Sequence, residues 1–280
     1  MPGENLTRIE AQERRAVVDT RSYDVLLDLT RGAEVFGSLT TVRFAATPGA
    51  DTFIDLIARD VRTVTLNGRE LDPARVWVDS RIALSGLEAE NELVVDADCL
   101  YTNTGEGLHR FVDPVDKETY VYSQFEVADA RRVFACFDQP DLKATFQFTV
   151  TAPSHWKVVS VSPTPEPELF ADRTARWVFE PTPVLSTYVT AIVAGPYHRV
   201  GGELTSRDGR TIPLGVFCRA SLAAHLDAGE VIEVTKAGFE LAEESKLLAH
   251  AEDDHSQMVF SKGLRGLTDQ TIFVFRKPKK

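Results

Sequence analysis

Cysteine is scarce, with three in 280 residues. Cys99, Cys136 and Cys218 stand far apart, are odd in number and lack metal-ligand spacing. That argues against a disulfide framework and a thiolate metal cage, and reads as buried free thiols. Histidine is sparse too. The six are His109, His155, His198, His225, His250 and His255, and no two are four apart. Two imidazoles on one helix share a face, and hence a metal, at spacing i, i+4. The nearest imitation, His250-Ala-Glu252-Asp-Asp-His255, has spacing five, which turns the rings about 140° apart. It reads as a solvated acidic segment. Basic residues are outnumbered, 31 to 42, for a net charge of -11, so nucleic acid is not an expected partner. No run approaches the roughly 20 apolar residues that cross a bilayer. The opening MPGENLTRIEAQERRAVV has no apolar core of the kind a secretory signal needs. The chain is expected to be cytoplasmic, monomeric and without a membrane partner. There is no Gly-x-Ser-x-Gly elbow and no phosphate loop; Gly263-Leu-Arg-Gly266 is too short and lacks its Lys-Ser/Thr partner.

What is present is apolar material in short alternating pieces. Hydrophobic residues make up 43% of the chain, enough for one large or two modest cores. Tyr23, Val25, Leu27 and Leu29 alternate with Asp24 and Asp28, and Phe146, Phe148 and Val150 alternate with Thr145, Gln147 and Thr149. Period two marks a half-buried strand. Asn67-Gly68 supplies the positive φ angles of a tight hairpin between VRTVTL and Arg69-Glu70-Leu71. Further strands are expected at Leu39–Phe44, Leu93–Val95, Thr119–Phe125, Trp156–Val161, Arg176–Phe179, Thr187–Val193 and Ile212–Cys218. Gly and Pro clusters separate them, which predicts a mainly β, antiparallel, multi-sheet architecture. Trp77, Trp156 and Trp177 are expected as core anchors.

The pattern changes near Gly201-Gly202. Asp227 and Glu230 form a capping box before a helix expected over about Ala228–Ser245. Its apolar face would carry Val231, Val234, Gly238 and Leu241, with Ile232 and Phe239 beside them. This divides the chain into 1–200, 201–245 and a tail, 246–280. The tail is polar and acidic at His250–Gln257, broken by Gly263 and Gly266, and strand-like only at Thr271–Phe275.

The run Tyr122–Val150, YSQFEVADARRVFACFDQPDLKATFQFTV, is the most informative. Gln124 and Glu126 close an aromatic strand, where alternate residues point to one face. Chemistry alone reads them as an ordinary exposed strand end. Arg131, Arg132 and Asp138 read as a brace, pairing with one another or with Asp129. In Thr102–Pro114, Gly105 and Gly107 suit a tight loop. His109 is read as a satisfied loop histidine, with a polar cleft residue as the alternative.

Taken together, Ser123–Glu126, Asp129–Asp138, Leu142–Phe146 and Glu233–Phe239 resemble the N-terminal region of zinc aminopeptidases of the aminopeptidase N type, in the actinobacterial style. The likeness runs from about Leu6 to Ser245. It implies a β-rich N-terminal aminopeptidase domain over 1–200 and, over 201–245, the first strand and helix of an incomplete catalytic domain. It also implies that Gln124 lines the pocket for the substrate's first side chain and that Glu126 helps hold its α-ammonium. Zinc belongs to the complete family enzyme. This chain has neither its His pair nor its Gly-Ala-Met-Glu-Asn run, so it is expected to hold no metal and no catalytic residue, to be truncated before the zinc motif and to be inactive alone. The partners implied are peptides with a free N-terminus. A non-enzymatic β module that binds peptide N-termini or a partner protein is the alternative.

Overall fold

The computed structural model describes residues 5–126, 128–205, 209–237, 240–245 and 272–276. The expectations for 246–271, including His250–Gln257 and the two tail glycines, lie outside the described residues. The chain divides into two compact units. One takes in the residues up to His198 together with Arg219–Ser221, and the other the rest.

In the first unit an eight-stranded sheet runs, edge to edge, Glu168–Leu169, Thr174–Val178, Thr145–Pro153, Val18–Asp28, Val35–Ala46, Glu90–Leu100, Asp60–Leu66 and Arg69–Leu71. Strict alternation builds it. In Thr145–Pro153 every second residue, Phe146, Phe148, Val150 and Ala152, is buried. Most pairs are antiparallel, but Val18–Asp28 pairs with Thr145–Pro153 in parallel, Tyr23 opposite Phe146. Those two rings stack at 4.8 Å, and Phe134 lies edge-on to both. The Asn67-Gly68 turn forms as expected, with φ of 52° and 76°, the values a tight hairpin requires.

A second sheet has the order Lys157–Ser160, Ile192–Gly195, Thr119–Gln124, Gly107–Val112. A third joins Thr52–Asp55, Arg81–Leu84 and Trp77–Val78. The strand expected over Thr187–Val193 is instead a 3-10 turn at Thr187–Val189 followed by the strand Ile192–Gly195. The Thr187 hydroxyl donates to Asp138 Oδ1 at 2.7 Å and the Thr190 hydroxyl to the Thr187 carbonyl. The second is a local side-chain bond to the backbone, of the kind that competes with a strand ladder. Cys99 and Cys136 are buried, whereas Cys218 is only half-buried. Trp156 and Trp177 are buried; Trp77 is half-buried and its indole donates to the Leu56 carbonyl.

Two helices were not anticipated, the single turn Pro73–Val76 and the longer Arg8–Val17. Arg8–Val17 opens with a complete capping box, Thr7 with Glu10. Arg14, 2% exposed, reaches Asp55 at 2.6 Å and Gln139 at 3.1 Å, and Glu10 binds Arg81 at 2.6 Å. Both guanidiniums lie over the Phe53 ring, at 4.8 and 4.2 Å.

The second unit contains the antiparallel pair His198–Thr205 and Thr211–Cys218, and the helix Ala228–Ala237. Asp227 caps the helix, accepting from the Glu230 N–H at 2.9 Å. It is shorter than expected, since Glu240–Ser245 is a strand paired antiparallel with Ile272–Arg276. Gly238 follows its last residue in sequence, and glycine costs about 1 kcal/mol inside a helix. Of the expected apolar face, Gly238, Phe239 and the side chains of Val234 and Leu241 lie outside the described residues. Ala228 and Ile232 are buried, whereas Val231 is 45% exposed. Ile232 packs on Gly202, where an added Cβ would come 3.0 Å from its Cδ1.

Candidate functional site

The site grows from the end of the strand Thr119–Gln124. Its register against Gly107–Val112 sets Tyr122 opposite His109, Ser123 opposite Leu108 and Gln124 opposite Gly107. Ser123 Oγ accepts from the Ile192 N–H at 2.8 Å and so ties the other side of the strand. Gln124 is the last strand residue, and Glu126 lies beyond it in a turn. The strand rule therefore does not itself align the two side chains. They are linked instead by a hydrogen bond from the Glu126 N–H to Gln124 Oε1, 3.0 Å. Both are exposed, while Phe125 between them is 2% exposed and sits edge-on to Phe134. A buried aromatic anchors the turn, and the two polar residues flank it in water.

Behind them the brace forms. Arg132 Nε donates to Asp129 at 2.7 Å, and Arg132 lies 3.4 Å from Glu106. The Arg131 N–H donates to Asp138 Oδ2 at 3.1 Å, and Arg131 Nε to the Ala128 carbonyl. Burial pushes the Asp138 carboxyl up, and the Thr187 hydroxyl and Arg131 oppose that. The turn Cys136–Pro140 ties this brace to the N-terminal helix. Its Phe137 and Asp138 N–H groups donate to Tyr23 Oη and Asp55 Oδ2, and Gln139 Nε2 reaches the Ala11 carbonyl.

Gly107 permits this arrangement. Its φ is +60°, and a Cβ there would lie 2.8 Å from Arg132 Cβ, so the glycine hairpin and the arginine brace fit together only without a side chain. Gly105, at φ +94°, donates to His109 Nδ1 at 3.1 Å. His109 is thus satisfied, though on a strand rather than in a loop, and its ring lies 4.7 Å from that of exposed Tyr122.

The acids of the site differ. Glu106 and Asp129 share Arg132, whereas among the described residues the Glu126 carboxylate has no cationic partner. An unpaired, exposed carboxylate beside an amide is suited to an ammonium group. Also among the described residues, no group of three or more His, Cys, Asp and Glu is placed to hold a metal ion, so these residues do not fit a zinc site. No helix among them is long and apolar enough to cross a membrane.

Residues 79–189, which include the whole site, match the Peptidase M1 N-terminal domain. The β-rich first unit therefore carries a domain of that peptidase class. The chain is 58% identical over 248 residues to an Aminopeptidase N of Streptomyces lividans, covering 87% of this chain and 28% of that protein. It is 42% identical over 100 residues to an Aminopeptidase N of Acetobacter pasteurianus, covering 36% and 27%. It is 31% identical over 194 residues to Aminopeptidase M1-D of Oryza sativa subsp. japonica, covering 65% and 22%. The chain spans about a quarter of the length of these relatives. The matches bear out the resemblance read from the SQFE strand: the chain corresponds to the N-terminal part of an aminopeptidase N of the actinobacterial type.

Proposed function

We propose that the chain supplies the wall of an aminopeptidase that receives the peptide's amino terminus. Glu126 takes the α-ammonium by a charge-assisted hydrogen bond, and Gln124 lines the space for the first side chain. The observation that carries this reading is the Glu126 carboxylate, exposed and without a cationic partner beside two acids that have one. Zinc, peptide hydrolysis and a cytoplasmic setting belong to the same reading, by way of the relatives. The sequence holds no His pair at i, i+4, so the chain alone is expected to turn over no aminoacyl substrate.

The test is binding of one short peptide in two forms, free and N-acetylated, followed by NMR of the Gln124 side-chain amide. The free form should bind about tenfold more tightly, and Glu126→Gln should remove that preference. Equal affinity for the two forms, or a preference that survives Glu126→Gln, would overturn the assignment. Turnover of a fluorogenic aminoacyl substrate by the purified chain would overturn the expected inactivity.

A further inference from the structure

A pocket of about 500 Å³ opens in the first unit, away from Gln124 and Glu126, where Leu29–Ala33 meets the loop before Thr174. Its lining includes Tyr101, Arg110, Thr119, Trp156, Asp172 and Arg173. Its charge pattern differs from that of the sheet surface. In an acidic chain, arginines such as Arg31, Arg43 and Arg62 each pair with two carboxylates. Among the described residues, Arg110 and Arg173 pair with none. Arg110 Nη2 donates only to the Thr119 hydroxyl, at 3.1 Å, and its guanidinium lies 6.0 Å from the Tyr101 ring centroid. Asp172 lines the same space and keeps its negative charge, because the Thr174 hydroxyl and N–H, 2.6 and 3.0 Å from its Oδ1, hold its carboxyl below the usual range.

Two further donors are open to solvent rather than buried. Among the described residues, the Tyr101 hydroxyl and the Trp156 indole N–H have no hydrogen-bond partner. Trp156 is 9% exposed, and its indole N–H is not among the buried atoms without a partner. Arg173 is not adrift either. It holds φ +66°, and its N–H and carbonyl bond to Phe170 and Ser154, so the turn fixes its backbone at the rim. Two guanidiniums without a carboxylate partner, one carboxylate and two aromatic rings thus share one concavity, which leaves a net positive charge beside an apolar surface, a combination suited to an anion with an apolar body.

We propose that this pocket binds a small carboxylate carrying a flat apolar group, with Arg110 and Arg173 taking the carboxylate and Tyr101 and Trp156 the flat body. The test titrates the full chain with benzoate, benzamide, benzylamine and inorganic phosphate, reading Arg side-chain and Trp indole N–H signals. Benzoate should shift the Trp156 signal and bind about tenfold more tightly than benzamide. Arg173→Gln, at an exposed position, should weaken benzoate at least about fivefold without moving the unfolding midpoint. Arg21→Gln, whose guanidinium pairs with Asp19 at 2.7 Å outside the pocket, should change nothing. Equal binding of benzamide, or tighter binding of benzylamine, would overturn the role of the guanidiniums. Phosphate binding as tightly as benzoate would overturn the role of the rings. Arg21→Gln weakening benzoate as much as Arg173→Gln would show mere attraction to positive charge and sink the site.

Discussion

The helices Arg8–Val17 and Ala228–Ala237 have the same length, ten residues, and opposite characters. The first, RIEAQERRAV, is almost wholly polar. The second, AGEVIEVTKA, carries the apolar residues from which a packed helix is usually inferred. Yet among the described residues the polar helix has the denser set of partners. Arg14 is clamped between Asp55 and Gln139, Glu10 is clamped on Arg81, and a capping box closes its first turn. The apolar helix has an Asp227 cap and, on its buried face, Ala228 and Ile232. A short helix is marginal by propensity alone. What decides is whether named side chains find partners elsewhere in the chain, and a charged side chain in a made-to-measure slot does that as well as a leucine.

The sharpest way to break this comparison is Arg14→Ala. It would leave the Asp55 carboxylate, whose side chain is 3% exposed, buried without its cation. Removing one partner of a buried pair costs about 3–5 kcal/mol, and the urea midpoint of the first unit should fall accordingly. A midpoint unchanged within error would show that the clamp holds nothing. Next, Ile232→Ala should cost about 2 kcal/mol. The loss should appear as faster amide exchange over Ala228–Ala237, with the large sheet unaffected. Slower folding of the whole chain would contradict that separation.

A smaller effect depends on pH. The hydrogen bond from Arg81, with the Thr7 N–H, lowers the Glu10 carboxyl from 4.5 to about 2. A carboxyl depressed in the folded state stabilises above its unfolded value, and that stability is lost as pH falls through the folded value. The loss should therefore run from about pH 4.5 down to about 2. Because the carboxylate is partly in water, about 1 kcal/mol is expected after screening. Comparing acid unfolding of the wild type with Glu10→Gln reads it directly, since the variant should lack the slope in that window. Least of all, Thr7→Ala and Asp227→Ala should each cost about 0.5–1 kcal/mol. If the second cost several times the first, the later helix would depend on its cap more than on its buried face.

Much of this molecule was legible in local patterns. The alternation of Tyr23–Leu29 and Thr145–Val150 gave strands, and Asn67-Gly68 gave a hairpin, because side-chain period and positive φ are local properties. The brace of Arg132 on Asp129 was legible for the same reason. The parallel pairing of Val18–Asp28 with Thr145–Pro153 was not, because register between distant strands leaves no local mark. Thr187–Val189 reads as strand by β-branched content, but Thr187 bonds Asp138 and Thr190 closes back on the Thr187 carbonyl. The helix Arg8–Val17 did carry a signal, Thr7-x-x-Glu10. That signal stands without an apolar stripe behind it, because this helix buries an arginine. At the site, Gln124 and Glu126 were found by resemblance. The fit of Gly107 against Arg132 is a meeting of two segments that no spacing rule foretells.

The parallel pair also imposes a schedule on synthesis. Thr20 donates to the Lys143 carbonyl, 123 residues further along. Val18–Asp28 lies inside the large sheet, between Val35–Ala46, which follows at once, and Thr145–Pro153, which does not. At about 5–20 residues per second, the second neighbour leaves the ribosome roughly 6–25 s after the first strand. Through that interval the growing chain presents an open strand edge, with Tyr23, Val25 and Leu27 beside it. Nascent chains of this protein are therefore expected to be most adhesive between about 50 and 150 residues in length, and to lose that character once Phe146 stacks on Tyr23.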